Sequence, residues 1–152
     1  MSIFNAINVS SSGLTAQRLR MDTISSNIAN VDTTRATINE DGEYEPYRRK
    51  MTVFESKDTG FSSVLNRQTR NSNSRGEGVI VSEIVEDETE PFKLVYNPNH
   101  PDANENGYVE LPNVDPLKEM VDLMSATRSY EANVTSLNAT KSMLLKALEI
   151  GK

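Results

Sequence analysis

Apolar residues recur at both ends of the chain with the alternating four- and three-residue spacing of a helical seam. From residue 3 to residue 31 this spacing passes through nine positions, and polar Ser10 and Gln17 occupy two of them. The other seven are Ile3, Ile7, Leu14, Met21, Ile24, Ile28 and Val31. Such a seam is typical of a helix that packs lengthwise against another helix. The pattern predicts a helix over residues 3–31.

The C-terminal segment repeats the pattern from residue 120 to residue 148, with Thr127 and Lys141 as its polar positions. Its apolar members are Met120, Leu123, Tyr130, Val134, Leu137, Leu144 and Leu148. Asp115 can cap free helix amides, and Pro116 is tolerated at the first helical position. Gly151 provides a stop. A second helix is therefore predicted over residues 116–150.

The middle of the chain predicts short strands instead of helices. Runs rich in Val, Ile, Phe and Tyr lie at 47–54, 79–85 and 92–96, and we expect the last two to form a hairpin across the acidic turn at 86–91. Residues 66–78 contain no apolar side chain and predict a mobile loop. Residues 97–113, with three prolines and one glycine, predict an extended connection.

These elements predict an α+β fold. Two long amphipathic terminal helices would pack as a coiled-coil-like pair, with a small β-hairpin and loop insert between them. We expect an N-terminal helix segment at 1–34, an insert at 35–114 and a C-terminal helix segment at 115–152, the two helices forming one domain.

Composition limits how much core this fold can have. Of 152 residues 36% are hydrophobic, and Leu, Ile, Val and Phe together make up 23%, just above the ~20% below which disorder is expected. A single helix with a narrow apolar seam does not offset the entropy of ordering it. Each helix therefore needs a partner: the other terminal helix, neighbouring chains, or both. Ser10, Ser11, Ser12 and Gly13 lower helix propensity and favour ends that order only in an assembly.

Charge and residue usage exclude several classes of protein. The net charge is −6, and residues 32–114 alone carry 9 basic and 16 acidic side chains, which argues against a nucleic-acid binder. The chain has no cysteine, so it has no disulfide, zinc ribbon or thiol nucleophile. No apolar run approaches the ~20 residues of a transmembrane helix. The N-terminus lacks the basic and apolar regions of a secretory signal, so we expect none.

Candidate chemistry is sparse. Residues 102–107 resemble the start of a calcium loop, but Asn113 stands where a bidentate glutamate is needed. The single histidine, His100, lies in a proline-containing loop, and Gly76 and Gly78 are not followed by a third glycine. Arg67, Arg70, Arg75 and the acidic run 86–90 are expected to be solvated surface. We therefore expect no enzyme activity, no cofactor and no bound metal.

Several short stretches, in the same order along the chain, resemble the flagellar basal-body rod proteins, and among them the proximal rod subunits. Residues 12–17 (SGLTAQ) and 26–34 (SNIANVDTT) resemble the family signature S-G-L-x-A and N-x-A-N-x-x-T. Further similar stretches lie at 46–50, 94–102, 107–109, 112–114, 119–122, 129–134, 138–139 and 141–143. Together these stretches total 50 of the 152 residues and are spread from residue 12 to residue 143.

The resemblance implies a non-catalytic structural subunit of the proximal rod, which polymerises through its terminal helices into the torque-transmitting drive shaft across the periplasm. Implied partners are other proximal and distal rod subunits, the membrane-ring adaptor and the flagellar type III export apparatus. The seam residues would form subunit interfaces. Asn27, Ala29, Asn30 and Thr33 would mark the end of the first helix, where Ala29 allows close packing and Asn30 a left-handed turn.

Two other functions remain open at this stage. One is a free-standing α+β adaptor or binding module, whose helix pair is closed within one molecule. Strong helicity and a sharp melt in dilute solution would favour it, whereas helicity that rises on assembly would favour the rod subunit. The other is a calcium-responsive protein, which would require millimolar calcium to change the melting curve.

Overall fold

A computed structural model describes residues 3–39, 42–57 and 78–151 of the chain. Helix α1 covers Ile3–Ala29 and helix α2 covers Pro116–Ile150. Between them lie the strands β1 (Thr37–Ile38), β2 (Tyr44–Glu45), β3 (Lys50–Ser56), β4 (Val79–Glu86), β5 (Lys93–Tyr96) and β6 (Tyr108–Leu111). The predicted α+β class is confirmed.

Helix α1 ends two residues before the predicted end at Val31. The backbone turns at Asn30, whose side-chain Nδ2 donates to the carbonyl of Ser26 at 2.9 Å, and Thr33 N donates to the carbonyl of Asn30 at 3.2 Å. The carbonyl of Ser26 also accepts from Asn30 N at 3.1 Å, so the backbone and the side chain of Asn30 together close the last turn of α1. Val31 thus lies in the turn after the helix.

Helix α2 has the bounds that its capping residues predict. Asp115 Oδ1 accepts a hydrogen bond from Leu117 N at 3.0 Å, and Pro116 occupies the first position, where no amide is needed. Further along, the hydroxyls of Thr135 and Thr140 donate to carbonyls four residues earlier, at 2.9 Å each. These bonds let polar residues occupy a long helix without unpaired groups.

The two helices contact each other, as predicted. A Cβ atom added to Gly13 of α1 would lie 3.1 Å from Oδ1 of Asn133 in α2, closer than side chains normally approach. Asn27 of α1 donates from Nδ2 to Oε2 of Glu119 in α2 at 3.0 Å. Gly13 therefore permits close approach of the helices. The serines beside it do not break α1, since Ser12 Oγ donates back to the carbonyl of Val9 at 2.7 Å.

The predicted pairing of the strands is wrong. The run at 79–85 does form a strand, but β4 pairs with β3 and not with the run at 92–96. The latter forms β5, which pairs antiparallel with β6, from Lys93 opposite Leu111 to Tyr96 opposite Tyr108. Strand β6 lies inside the region predicted to be an extended connection. The acidic run 86–91 had indicated the turn of a hairpin. It does not form one, and its residue Asp87 is buried and bonded to Arg49.

The chain divides into two compact units. The first comprises Met1–Arg20, Thr52–Glu83 and Ser125–Lys152, and the second comprises Met21–Met51 and Ile84–Met124. Buried apolar residues in the first unit include the small Ala16 and Ala126, whereas the second unit buries Ile24, Tyr47, Val109 and Val114. This agrees with the thin core that the composition predicts. The predicted loop up to Glu77, with Arg67, Arg70, Arg75 and Gly76, lies outside the described residues.

Candidate assembly surfaces and a buried polar cluster

The second unit is held together by a set of buried hydrogen-bonded polar residues, which we call the polar cluster. Its members come from α1, from the segment before β3, from the turn after β4, from the segment between β6 and α2, and from the start of α2. They are Asn27, Tyr47, Arg49, Asp87, Asn113 and Glu119. Buried polar side chains are costly unless bonded, so each bond matters to the stability of the unit.

Asn27 occupies the centre of the polar cluster, with 1% of its surface exposed. Its Nδ2 donates to the carbonyl of Lys50 at 2.9 Å and to Glu119 Oε2 at 3.0 Å. Its Oδ1 accepts from Tyr47 Oη and from Lys50 N, both at 3.0 Å. An amide can make four such bonds, and all four are made. Asn27 is therefore a buried cross-link between α1, the segment that leads into β3 and the start of α2.

Arg49 is the cation of the polar cluster. Its Nε donates to Glu119 Oε1 at 2.6 Å, Nη1 lies 3.3 Å from Asp87 Oδ2, and Nη2 lies 3.5 Å from Asp122 Oδ2. Glu119 is fully buried and Asp87 is 4% exposed. Removing such carboxylates from water costs several kcal/mol each, and Arg49 offsets this cost with bonds in a fixed fork geometry.

These contacts shift the pKa values of two cluster members. Burial disfavours the charged Arg49, but its bonds to Glu119 and Asp87 outweigh burial, and the pKa of Arg49 is raised. The pKa of Asp87 is lowered, chiefly by the hydroxyl of Thr89, with Arg49 adding to the effect against burial. Both groups are thus held in their charged forms.

Asn113 ties the turn after β4 to the polar cluster. Its Nδ2 donates to the carbonyls of Asp87 at 2.9 Å and Glu90 at 3.0 Å, and its Oδ1 accepts from Arg49 N at 2.7 Å. The prediction that the run 86–90 is entirely solvated is therefore wrong at Asp87. The exposed Glu86, Glu88 and Glu90 agree with it. Every carboxylate buried in the cluster is bonded, so the arrangement fixes the backbone and offers no free acid, base or nucleophile.

The loop that resembles a calcium site uses its oxygens within the chain. Asp102 Oδ2 accepts from the hydroxyl of Thr34 at 2.7 Å, and Oδ1 accepts from Arg35 Nε at 2.6 Å. The hydrogen bond from Arg35 is the main reason that the pKa of Asp102 is lowered. Asn104 Oδ1 accepts two backbone amides, and His100 Nδ1 accepts from Asp102 N at 3.1 Å. Nowhere in the described ranges do three acidic or histidine side chains form a group suited to a metal.

The predicted interface residues differ in burial. Ile24 is buried, Ile3 begins α1, and Ala29, Met120 and Leu148 are exposed. The half-buried set is Ile7, Leu14, Met21, Ile28, Asn30, Val31, Leu123, Tyr130, Val134, Leu137 and Leu144. Near the start of α2 the buried side chain is Glu119, which accepts a hydrogen bond from Asn27 of α1, and not Met120, which is half exposed. The role of these residues in contacts between subunits stays a prediction.

The first unit exposes an apolar helix end. Residues 143–150 of α2 are apolar at six of eight positions and therefore on every side of the helix. Leu148 is 69% exposed and Ile150 is 86% exposed, and Met143, Leu145 and Phe4 of α1 are exposed as well. A helix that is apolar all round is normally buried. This end of the unit is thus suited to burial against another molecule.

Sequence periodicity missed Arg49, Glu119 and Asn113 as cluster members. One signal was present: Glu119 falls one helical turn before Leu123 and so places an acid on the apolar face of α2. An acid at such a position predicts a buried partner. That partner is Arg49, which lies 70 residues away in sequence, so periodicity could not identify it.

Comparisons with known proteins give matches at both ends of the chain and over its full length. A family model described as "Flagella basal body rod protein" matches residues 7–37, and one described as "Flagellar basal body rod FlgEFG protein C-terminal" matches residues 105–150. The flagellar basal-body rod protein FlgC of Bacillus subtilis is 63% identical over 152 residues, which is all of both chains. The protein of that name from Borreliella burgdorferi is 47% identical over 161 aligned positions, with 99% of this chain and 98% of the relative covered. That of Salmonella typhimurium is 40% identical over the full length of both.

The chain belongs to the FlgC family of flagellar basal-body rod proteins. All members of the polar cluster except Asp87 lie in the stretches that carried the resemblance to rod proteins: Asn27 in 26–34, Tyr47 and Arg49 in 46–50, Asn113 in 112–114 and Glu119 in 119–122. In this FlgC-family chain those motifs therefore correspond to one buried structure. Neither of the described helices combines the length and the apolar character that a membrane span requires.

Proposed function

We propose that this FlgC-family chain is a building block of the proximal rod and polymerises through its two terminal helices into the drive shaft that transmits torque. The observation that carries the proposal is the exposed apolar end of the first unit, from Met143 to Ile150 with Phe4. Burying one Leu or Ile side chain contributes about 1.5–3 kcal/mol, so covering this end favours association strongly.

The proposal extends to location and partners. The chain would lie in the part of the rod that crosses the periplasm, after passage through the flagellar export apparatus. Its neighbours would be other proximal rod subunits, the distal rod and the membrane-ring adaptor. It would act by packing alone, without catalysis, as the bonded carboxylates of the polar cluster suggest.

Substitution at the apolar end tests the proposal. Leu148→Asp places a charge where a neighbouring subunit would bury an apolar group, at a cost of several kcal/mol in the assembly. We expect Leu148→Asp to abolish rod assembly and motility in cells that lack their own copy, while the circular dichroism of the dilute chain stays unchanged. Ser142→Asp, at an exposed polar position directly before this segment, is the matched control and should assemble. Normal rods from the Leu148 variant would refute the proposal.

An adaptor with a closed helix pair is the second candidate, because α1 and α2 already contact each other within one chain, through Gly13 and Asn133 and through Asn27 and Glu119. Circular dichroism over a range of concentrations distinguishes the two functions. A rod subunit should gain helicity and sediment faster as concentration rises. Concentration-independent helicity with a sharp melt would favour the adaptor.

A further inference from the structure

The loop between β5 and β6 contains the single Asn-Gly pair of the sequence, Asn106–Gly107. In this dipeptide the backbone nitrogen of the glycine can attack the side-chain amide of the asparagine, because glycine has no Cβ to obstruct the approach. Asn106 is exposed, so water reaches its side chain. The pair is therefore a candidate site for spontaneous deamidation.

This reaction needs no reactant other than water. The nitrogen of Gly107 bonds to Cγ of Asn106, its proton passes to Nδ2, and the bond between Cγ and Nδ2 breaks to release ammonia. The product is a five-membered cyclic imide. Water then opens the ring at Cγ, which gives aspartate, or at the main-chain carbonyl carbon, which gives isoaspartate with the backbone running through the side chain. Either product replaces a neutral amide with a carboxylate.

The turn around Asn106 holds the attacking nitrogen in a hydrogen bond. Gly107 N donates to the carbonyl of Asn104 at 2.9 Å, and Asn104 N donates to the carbonyl of Tyr108 at 2.9 Å. The Oδ1 atom of Asn104 accepts from Asn106 N at 3.1 Å and from Tyr108 N at 2.9 Å. Asn104 thus accepts the backbone amides of three consecutive residues. Gly107 completes the turn with a φ of 79°, the left-handed conformation that closes such hairpin loops.

Ring closure and this turn exclude each other. To bond to Cγ of Asn106, the nitrogen of Gly107 has to lose the proton that it donates to Asn104, and the peptide unit between the two residues has to rotate toward the side chain. Both changes break the hydrogen bond to the carbonyl of Asn104. The reaction therefore proceeds only from an opened turn, and the two bonds of the Asn104 side chain lower the population of that state.

We propose that Asn106 is a deamidation site of this chain and that Asn104 keeps it unreacted in the folded state. Isoaspartate would insert one methylene into the backbone directly before Gly107. The carbonyl of Gly107 accepts from Asn97 N at 2.9 Å, and a Cβ added to it would lie 3.0 Å from the ring of Tyr96. A backbone packed this closely cannot take up an extra atom without moving. The protection thus preserves the hairpin of β5 and β6, independently of the proposed function.

Deamidation rates of the full chain test the proposal. The chain is incubated in mildly alkaline buffer, with and without guanidinium chloride as denaturant. The peptide that contains Asn106 is followed by mass spectrometry and by isoaspartate-specific methylation. We expect conversion in the denatured chain and a rate about tenfold or more lower in the folded chain, a factor that the hydrogen bonds of the turn can supply.

Substitution of Asn104 identifies the protecting group. Asn104→Ala removes both side-chain bonds and should raise the rate in the folded chain about threefold to tenfold. Asn104→Asp keeps an oxygen acceptor and should react as slowly as the wild type. Glu105→Ala, at the exposed neighbouring position, is the matched control and should leave the rate unchanged. Circular dichroism checks that each variant is folded.

Each outcome decides one part of the proposal. If Asn106 does not convert in denaturant, it is not a deamidation site. Equal rates in the folded and the denatured wild-type chain would show that the turn does not protect it, and this comparison decides even if Asn104→Ala unfolds. Equal rates in folded Asn104→Ala and the wild type would overturn the role of Asn104.

Discussion

At the scale of single residues, the second unit depends on one guanidinium. Arg49 contacts Glu119, Asp87 and Asp122, which come from the turn after β4 and from the start of α2. The energy of such a buried pair is not large in itself, because desolvation opposes attraction. Losing one partner is different, since the other charges stay buried without compensation. The cluster therefore makes the unit sensitive to change at one position.

Arg49→Met should lower the free energy of unfolding by about 3–5 kcal/mol, because Glu119 and Asp87 would remain buried without their cation. Urea unfolding followed by circular dichroism measures this. The matched control is Arg128→Met, which removes an exposed arginine that pairs with Glu131 at 3.1 Å, and should cost less than about 1 kcal/mol. Equal effects of the two substitutions would show that the cluster does not stabilise the unit.

Acid should destabilise the chain partly through Asp87. The folded state lowers the pKa of Asp87 through Thr89 and Arg49, so its contribution is complete above the ordinary value of about 4. That contribution is lost as the pH falls below 4 through the lowered pKa. We expect the melting temperature to fall in this range, and to fall less steeply in Asp87→Asn. Glu88→Gln, an exposed neighbour, should keep the wild-type slope; a parallel decline in all three would contradict the assignment.

At the scale of elements, helices could be predicted and strand pairing could not. The bounds of α2 followed from Asp115, Pro116 and an apolar repeat, all of which are local signals. The partner of β5 depends instead on β6, which lies beyond an eleven-residue loop that Asn104 closes by accepting from Tyr108 N. The nearer run at 79–85 was the obvious partner, but it pairs with β3. Pairing is decided by contacts distant in sequence, which no local pattern contains.

Gly78, directly before β4, should resist substitution for two reasons. Its φ of 106° is strained for any side chain, and an added Cβ would overlap Ser12 Oγ. We expect Gly78→Ala to lower the unfolding free energy by about 2 kcal/mol or more in thermal or urea unfolding.

Two further variants separate backbone strain from steric overlap at Gly78. Gly42→Ala has a similar φ of 83° with no atom within 4 Å of the added Cβ, and should cost only about 1 kcal/mol. The Gly78→Ala, Ser12→Ala double variant lacks the overlapping hydroxyl. Its loss of unfolding free energy should therefore be smaller than the sum of the losses of the two single variants. Strict additivity would mean that overlap with Ser12 plays no part.

At the scale of the whole molecule, the two units differ in what completes them. The second unit buries Ile24, Tyr47, Val109 and Val114 around its polar cluster. The first unit buries small residues and exposes Phe4, Leu148 and Ile150. The sequence could predict that the apolar content was insufficient for an independent core, since composition and periodicity are readable directly. It could not predict the polar cluster, because Arg49 and Glu119 meet only through tertiary folding.

Removal of residues 1–10 tests whether the two units have separate roles. The deleted segment belongs to the first unit and carries Phe4 and Ile7, whereas no polar-cluster residue lies in it. We expect the truncated chain to keep slow hydrogen exchange at the backbone amides of Arg49 and Lys50, which donate to Asn113 and Asn27, because those bonds lie wholly in the second unit. It should nevertheless fail to enter rods, since the apolar end of the first unit is incomplete. Fast exchange at both amides would show that the second unit needs the start of α1. Protected amides together with normal rods would mean that assembly uses other surfaces.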